Sequence, residues 1–187
     1  MIKYASNGED TLRGKMLAIS GVGNVAQHAA RKAIELGAIV MSLSDSKGAF
    51  IANTEQGISP GDLSRIIASK ARRQPWAEVE FNADSGEVTS FDYLAGERPW
   101  KHLRRITIAL PCATQNELSG SDAEALIVAG CKFVAEGSNM GCSQEAINLF
   151  ERHRREKQEH AIWFAPGRSL FFFQIIRAFC SNPLTRG

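Results

Sequence analysis

A glycine-rich hexapeptide, Gly21-Val22-Gly23-Asn24-Val25-Ala26, is the strongest chemical signal in the sequence. In this Gly-x-Gly-x-x-Gly/Ala pattern the first glycine permits a tight turn and the second lets a pyrophosphate approach the backbone. The small third residue lets the helix pack closely on the strand, and the N–H groups at the helix start bind the phosphates. The segment therefore predicts a dinucleotide site that includes Ser20, Gly21, Gly23, Asn24 and Val25.

A second polar segment, Ser44-Asp45-Ser46-Lys47, ends the next apolar run. In a dinucleotide fold this position meets the adenosine ribose, where an acidic residue suits the 2′-OH of NAD and a cation suits the 2′-phosphate of NADP. Asp45 could accept a hydrogen bond from a hydroxyl, whereas Lys47 and the two serines could hold a phosphate. The spacing alone therefore leaves the choice between NAD and NADP open.

Two further polar segments each follow an apolar run, and both are rich in hydroxyl and amide groups. Ligands in open α/β sheets lie at the carboxyl ends of the strands, and such groups suit a nicotinamide ribose and its carboxamide. We expect the first segment, residues 111–116, and the second, residues 136–139, to lie side by side. The predicted contacts there are Ala113, Thr114, Gln115, Asn116, Gly137 and Asn139.

The sequence offers no clear acid or base for hydride transfer, which needs such a group beside the nicotinamide. The histidines fall on predicted helices or beside Trp100, away from the polar segments. Cys112 has no nearby His or Lys that would activate its thiol, so we expect it to be a packing residue. The four cysteines form no C-x-x-C pair. We therefore predict no catalytic residue and no metal site.

The elements that position these segments alternate between short apolar strands and amphipathic helices. Strands are predicted at 15–20, 39–43, 106–110, 132–135 and 161–164, and helices at 24–36, 59–73, 121–130 and 143–158. Ser121-x-x-Glu124 resembles a capping box at the start of the third helix. Apolar strands that alternate with helices predict a single α/β domain, a Rossmann-like doubly wound, mostly parallel sheet covered on both faces.

Composition excludes several classes of protein. The 187 residues are 44% hydrophobic and 22% charged, which is ordinary for a globular domain, and the net charge of +2 argues against nucleic acid as a partner. No signal peptide is recognisable, and no apolar run approaches the ~20 residues that span a bilayer. We expect a cytoplasmic protein without a membrane partner.

Taken together and in order, these segments resemble the cofactor domain of glutamate dehydrogenases, above all the NADP-dependent hexameric type of microbes. The resemblance is carried by residues 12–48, 96–100, 110–120, 131–151 and 161–168, including the strings SGVGNVA, SLSDSKG, PCATQNE and AEGSNMG. It implies NADP in preference to NAD, with Ser46 and Lys47 near the 2′-phosphate. It also implies that Thr114, Asn116 and Asn139 position the nicotinamide ring.

The family resemblance implies reversible reductive amination of 2-oxoglutarate to L-glutamate with ammonium and NADPH. Family members carry their catalytic Lys and Asp in an N-terminal domain that this sequence does not match, so no catalytic residue is transferred. We expect negligible turnover by this chain alone, because it supplies no transition-state stabilisation. The predicted boundaries are a lead-in at 1–10, an NAD(P)-binding domain at 11–168 and a divergent apolar C-terminal tail at 169–187.

Two alternatives stay open at this point. The apolar run Leu170–Phe179 suggests a non-catalytic dinucleotide-binding or docking module, which would form a homo-oligomer or dock onto a full-length homologue. Alternatively, the substrate could differ, because branched-chain and aromatic amino-acid dehydrogenases share the fold.

Overall fold

Strands and helices alternate along much of the chain, and five of the seven described strands are ones that the sequence predicts. The computed structural model describes residues 11–73, 90–157 and 161–167. The strands are β1 (Met16–Ile19), β2 (Ile39–Ser44), β3 (Gly48–Ala52), β4 (Phe91–Ala95), β5 (Ile108–Leu110), β6 (Phe133–Ala135) and β7 (Trp163–Ala165). The α-helices are α1 (Asn24–Glu35), α2 (Pro60–Ala71), α3 (Gly120–Val128) and α4 (Gln144–Glu156), and a short 3-10 helix covers Pro99–Lys101.

All seven described strands form one sheet in the order β4-β3-β2-β1-β5-β6-β7. Pairing is parallel from β2 through β1, β5 and β6 to β7, whereas β3 is antiparallel to both of its neighbours. The chain runs from β1 to β2 on one side and later returns to β5 on the other. A crevice therefore opens at the carboxyl end of β1, where ligands bind in doubly wound folds.

Two apolar cores cover the two faces of this sheet, which confirms the doubly wound, mostly parallel prediction. Alternation along β1 sends Leu17 and Ile19 into a core with α1 and α2, and sends Ala18 into a core with α3 and α4. Trp100 and Phe150 are fully buried in the second core. Burying each large apolar side chain contributes roughly 1.5–3 kcal/mol.

The hairpin of β2 and β3 is a difference from the sequence prediction, which gave residues 45–48 as a turn and identified no strand after it. Five residues of β3 pair with β4, beginning at Gly48 opposite Ala95. A Cβ on Gly48 would overlap the carbonyl of Leu94. The glycine that marks the turn in the sequence is therefore also the first residue of a strand.

The third helix starts one residue earlier than predicted, at Gly120, and the predicted Ser121–Glu124 capping box is wrong. The box consists of Ser119 and Asp122: the Ser119 hydroxyl accepts from the Asp122 N–H, and the Asp122 carboxylate accepts from the Ser119 N–H. Both pairs match the Ser-x-x-acid pattern, and the buried Asp122 decides between them.

Within the described ranges, no helix is long and apolar enough to cross a membrane.

Candidate functional site

The turn after β1 requires glycine at its first position. Gly21 has a φ of +85°, and a Cβ there would lie 3.0 Å from the backbone oxygen of Cys112. Its N–H donates to the hydroxyl of Ser44 at the end of β2, with an N–O distance of 3.1 Å. Gly21 therefore combines a left-handed backbone with a close approach to the loop that follows β5.

The helix that follows this turn begins without a side-chain cap. Gly23 is the N-cap of α1, whereas the other three described α-helices begin at serines whose hydroxyls accept N–H groups of the first turn, namely Ser59, Ser119 and Ser143. Gly23, Asn24 and Val25 are exposed. Because the first N–H groups of a helix carry partial positive charge, this uncapped end is suited to bind an anion.

Nothing in the fold requires residue 23 to be glycine. Its φ is −77° and its ψ is 179°, an extended conformation that any residue adopts. A Cβ built on Gly23 would meet no atom within 4 Å. The missing side chain leaves the surface in front of the α1 N-terminus open, which is the space that a bound pyrophosphate needs.

Three buried serines surround the carboxyl end of β1. The Ser42 hydroxyl bonds with the N–H and the carbonyl of Ile19, and the Ser44 hydroxyl accepts from Gly21, so Ser44 does not face outward to hold a phosphate. The hydroxyl of Ser20 accepts from the Cys112 N–H at 2.9 Å. Ser20, predicted to bind cofactor, is fully buried, so its side chain lies beneath the glycine turn.

The predicted adenosine-end turn is flanked by two lysines. Asp45 accepts the Lys47 N–H at 2.8 Å and forms an ion pair with Lys70 of α2, with an oxygen–nitrogen distance of 3.2 Å. The Asp45 side chain is 6% exposed and that of Lys70 is 43% exposed. Ser46 and Lys47 are exposed. Lys70 was not among the predicted site residues, because its pairing with Asp45 depends on how α2 packs beside β2.

The two polar segments at the ends of β5 and β6 lie side by side, as predicted. We call residues 111–119 and 136–143 the paired loops. Asn116 N–H donates to the carbonyl of Met140 at 2.8 Å, and Leu118 and Cys142 form a parallel bridge. Asn116 and Met140 both have a positive φ, and each stands three residues before the serine that caps the next helix. The exposed residues of the pair include Ala113, Thr114, Gln115, Asn116 and Asn139.

A buried carboxylate holds each of the paired loops. Glu136 accepts the N–H groups of Cys142 at 2.8 Å and Gly167 at 2.7 Å. Glu117 accepts the Ala113 N–H at 2.8 Å, and burial raises the pKa of its carboxyl although hydrogen bonds and Arg98 oppose that shift. Neither function is visible in the sequence, because the partners of each carboxylate can be recognised only in the fold.

The thiols near the site are packing groups, as expected for Cys112. Burial and the nearby Glu117 carboxylate raise the pKa of Cys112 to about 12, and its Sγ occupies the space where a Cβ on Gly137 would lie. Such a thiol stays protonated near neutral pH. In the ranges that the structure describes, no group of three His, Cys, Asp or Glu side chains could hold a metal ion.

Comparison with known protein families matches residues 1–169 to the family described as Glutamate/Leucine/Phenylalanine/Valine dehydrogenase. Among its relatives, the chain is 51% identical over 169 residues to the NADP-specific glutamate dehydrogenase of Neurospora intermedia. It is also 51% identical over 170 residues to the protein of that name from Schizosaccharomyces pombe. These matches cover 90% of this chain but only 36% of each relative, so the chain spans about a third of their length.

Solved structures give the same result for the fold. The chain superposes on a glutamate dehydrogenase of Plasmodium falciparum with a TM-score of 0.71 and 28% identity, covering 88% of this chain and 32% of that one. A second Plasmodium falciparum structure, described as glutamate dehydrogenase 2, gives 0.72 and 31%, covering 88% and 33%.

Proposed function

This chain belongs to the Glutamate/Leucine/Phenylalanine/Valine dehydrogenase family, and we propose that it is the NADP-binding domain of a glutamate dehydrogenase. In the intact enzyme the reaction would be the reversible reductive amination of 2-oxoglutarate to L-glutamate, with ammonium and NADPH. The observation that carries the cofactor site is Gly23, a glycine that the fold does not need, at the one uncapped N-terminus among the described α-helices.

The pyrophosphate would bind at the start of α1. The backbone N–H groups there have no side-chain cap, and Gly23, Asn24 and Val25 are exposed. Gly21 shapes the turn, and Ser20 and Ser44 hold it from below through the hydrogen bonds described above. The absence of a capping hydroxyl matters, because a side-chain cap would occupy the donors that the phosphates need.

The turn at Asp45–Lys47 favours NADP over NAD. Asp45 is paired with Lys70, so its charge is offset rather than presented alone to a ribose hydroxyl. The exposed Lys47 adds a second cation, and Ser46 adds an exposed hydroxyl. Asp45, Lys47 and Lys70 together carry a net positive charge, which suits a 2′-phosphate.

The nicotinamide would lie against the paired loops, where Thr114, Asn116 and Asn139 are exposed at the carboxyl edge of the sheet. When bound, NADPH supplies the hydride. The exposed polar groups can orient the ring, but the described residues near the loops include no histidine or lysine suited to move a proton. The catalytic groups would come from the part of the enzyme that this chain does not span.

The test is a titration of the chain with NADPH, followed by nicotinamide fluorescence, for the wild type, Gly23→Ala and Gly61→Ala. Gly61 is a matched control. The nearest atom to a Cβ built at Gly61 is the Ser59 Oγ at 3.7 Å, and Gly61 lies in the first turn of α2 rather than in the turn after β1. Gly23→Ala should weaken NADPH binding at least about tenfold, whereas its melting temperature should fall only slightly, because alanine is a poorer N-cap than glycine. Equal affinity of all three proteins, or no binding by the wild type, would refute the proposal.

The choice of cofactor has its own test, a comparison of NADPH and NADH affinities in Lys47→Ala and Lys70→Ala. Each substitution should weaken NADPH about tenfold, because a charge-assisted contact to phosphate is lost, and should leave NADH nearly unchanged. Loss of both cofactors together would point to damage to the turn instead.

Several finer expectations stay predictions. These are the domain boundaries, the cytoplasmic location, and a homo-oligomer or docking to a full-length homologue. The docking alternative depends on Leu170–Phe179, and the tail at 169–187 lies outside the described residues. The names of the relatives favour glutamate over branched-chain or aromatic amino acids.

A further inference from the structure

The carboxylate of Glu117 links the glycine turn after β1 to the first of the paired loops. Glu117 is 8% exposed, and its Oε1 accepts the Ala113 N–H at 2.8 Å. The Thr114 N–H and the Ser20 hydroxyl also donate to this carboxylate. Three donors from two separate segments therefore converge on one buried charge.

Ser20 connects this charge to the pyrophosphate side of the site. Its hydroxyl accepts the Cys112 N–H at 2.9 Å and donates its only proton to Glu117. The residue that follows it is Gly21, whose φ of +85° begins the turn. Ser20 therefore fixes the Glu117 carboxylate to the end of β1, whereas the turn itself is held separately through the Gly21 N–H, which donates to the Ser44 hydroxyl.

The loop that Glu117 holds, residues 113–116, is not part of a helix or strand that would fix its conformation. Residues 113–116 are exposed and belong to no helix or strand, and Asn116 has a φ of +51°. From the far side, the Arg98 guanidinium donates to the backbone carbonyl of Glu117. The loop is therefore fixed from beneath by one side chain and from beside by hydrogen bonds to its partner loop.

Among the described residues, one cation and two thiols interact electrostatically with the Glu117 carboxylate. Arg98 attracts the carboxylate, and the thiols of Cys112 and Cys142 lie close enough for the carboxylate to raise their pKa values. Burial opposes the charge, and apolar residues of similar volume often stabilise a fold better than buried charges do. A buried carboxylate that is costly for folding and bonded to loop N–H groups is better explained by the geometry it imposes.

We propose that Glu117 is a positioning residue that holds residues 113–116 in the conformation that receives the nicotinamide half of the dinucleotide, through Ser20 on one side and Ala113 and Thr114 on the other. This inference rests on the proposed function. It predicts that the loss of the carboxylate affects the two halves of the dinucleotide unequally.

The experiment measures the affinity of the full 187-residue chain for NADPH and for 2′-phospho-ADP-ribose, which keeps the adenosine half and lacks nicotinamide. The variants are Glu117→Gln, Ser20→Ala and the control Asp62→Asn. Asp62 is also a buried carboxylate that accepts a backbone N–H, from Ser90 at 2.9 Å, but it lies at the start of α2. All affinities are measured below the melting transition of each variant.

Glu117→Gln should weaken NADPH binding about tenfold and 2′-phospho-ADP-ribose binding less than about twofold, because only the loop at the nicotinamide end loses a charge-assisted acceptor. The fluorescence change of NADPH on binding should shrink in parallel. Ser20→Ala should shift the same ratio, and the double variant should be less than additive because the two residues share a hydrogen bond. Asp62→Asn should leave the ratio unchanged.

Equal weakening of both ligands by Glu117→Gln, or no weakening at all, would overturn the positioning role while the wild type still binds NADPH. If Glu117→Gln does not fold, Ser20→Ala decides by the same ratio. Failure of the wild type to bind either ligand would instead refute the proposed function. The amide exchange rates of Ala113 and Thr114 give a readout without ligand, since both should increase in Glu117→Gln.

Discussion

The glycine turn after β1 and the paired loops lie at the same edge of the sheet, but their polar backbone groups are satisfied in different ways. The turn leads into a helix without a side-chain cap, and its surface at Gly23 is bare. The paired loops bond to each other, and Glu117 and Glu136 accept several of their N–H groups. In one region the backbone N–H groups at the helix start have no side-chain acceptor; in the other, carboxylates and the neighbouring loop accept the backbone N–H groups.

This difference indicates which kind of substitution each region tolerates. At Gly23 of the turn, a Cβ would meet no protein atom within 4 Å, so an added methyl group there should change ligand binding more than stability. In the paired loops, other side chains of the protein fill the space beside the glycines, as at Gly137. An added methyl group there should therefore change stability more than ligand binding. The predictions below test this contrast, from the largest expected effect to the smallest.

The largest effect is expected in the paired loops at Gly137, where a Cβ would overlap the Sγ of Cys112. Gly137→Ala should lower the free energy of unfolding by about 2 kcal/mol through overpacking. Cys112→Ala removes that sulfur, so the double variant should recover part of the loss. Urea denaturation of the four proteins measures the coupling. Additive effects in the double variant would mean that the two residues do not share this space.

A smaller loss is expected at Gly21, whose φ of +85° is costly for any side chain. Gly21→Ala should cost about 1–2 kcal/mol in stability. Gly96 is the control, because its φ is +76° but a Cβ there would meet nothing within 4 Å. Gly21→Ala should therefore be the more destabilising of the two by thermal melting. If Gly96→Ala proves equally costly, the close approach to Cys112 contributes nothing.

Helix caps distinguish the two regions at the level of about 1 kcal/mol. Ser119→Ala removes the capping box of α3 and should cost about 1 kcal/mol. The reverse change, Gly23→Ser, offers α1 a cap and should gain only a few tenths of a kcal/mol, because glycine is itself a tolerated N-cap. It should nevertheless weaken NADPH binding. A variant that gains stability and keeps full NADPH affinity would contradict the assignment of this helix end to the phosphates.

The smallest expected effect is on how the free energy of unfolding changes with pH. Burial is the main reason that the pKa of Glu117 is raised, so the folded chain binds a proton more tightly there than the unfolded chain does. Its contribution to stability is therefore fully present below the ordinary glutamate pKa of 4.5 and is lost as the pH rises through the higher folded-state pKa. Glu117→Gln should lack this loss. From pH 4 upward, the denaturation midpoints of Glu117→Gln should approach or exceed those of the wild type. If the two proteins show parallel curves, the raised pKa of Glu117 does not contribute to stability.

Asp62 provides the opposite sign in the same experiment. Burial alone would raise the pKa of Asp62, but hydrogen bonds from Ser90 and Ser59 and the charge of Arg65 lower it below 3.8. Its stabilisation is present above that pH and is lost as the pH falls through the lowered folded-state pKa. The deficit of Asp62→Asn relative to the wild type should therefore shrink in acid.

The sequence predicts the main elements because their signals are local. Apolar runs mark β1 and β2, Ser59 and Pro60 mark the start of α2, and the glycine turn lies between a strand and a helix. The hairpin strand β3 escaped because a short apolar run after a turn has no period of its own. The cap of α3 was misplaced because two overlapping Ser-x-x-acid patterns compete, and packing chooses between them.

The candidate site was predictable where polar loops follow strands, and it was not where a residue acts through a distant partner. Lys70 meets Asp45 across 25 positions in the chain. Glu117 meets Ser20, which lies almost a hundred residues earlier, because β1 and β5 are neighbours in the sheet. The spacing of residues in the sequence does not indicate these pairings, because they depend on the order of the strands in the sheet.

The parallel bridge between Leu118 and Cys142 has a consequence for how this fold can change over time. An insertion or deletion in either of the paired loops would shift one member of the bridge and move the following helix start out of register with its neighbour. A tolerated change of length would therefore need a compensating change in the other loop.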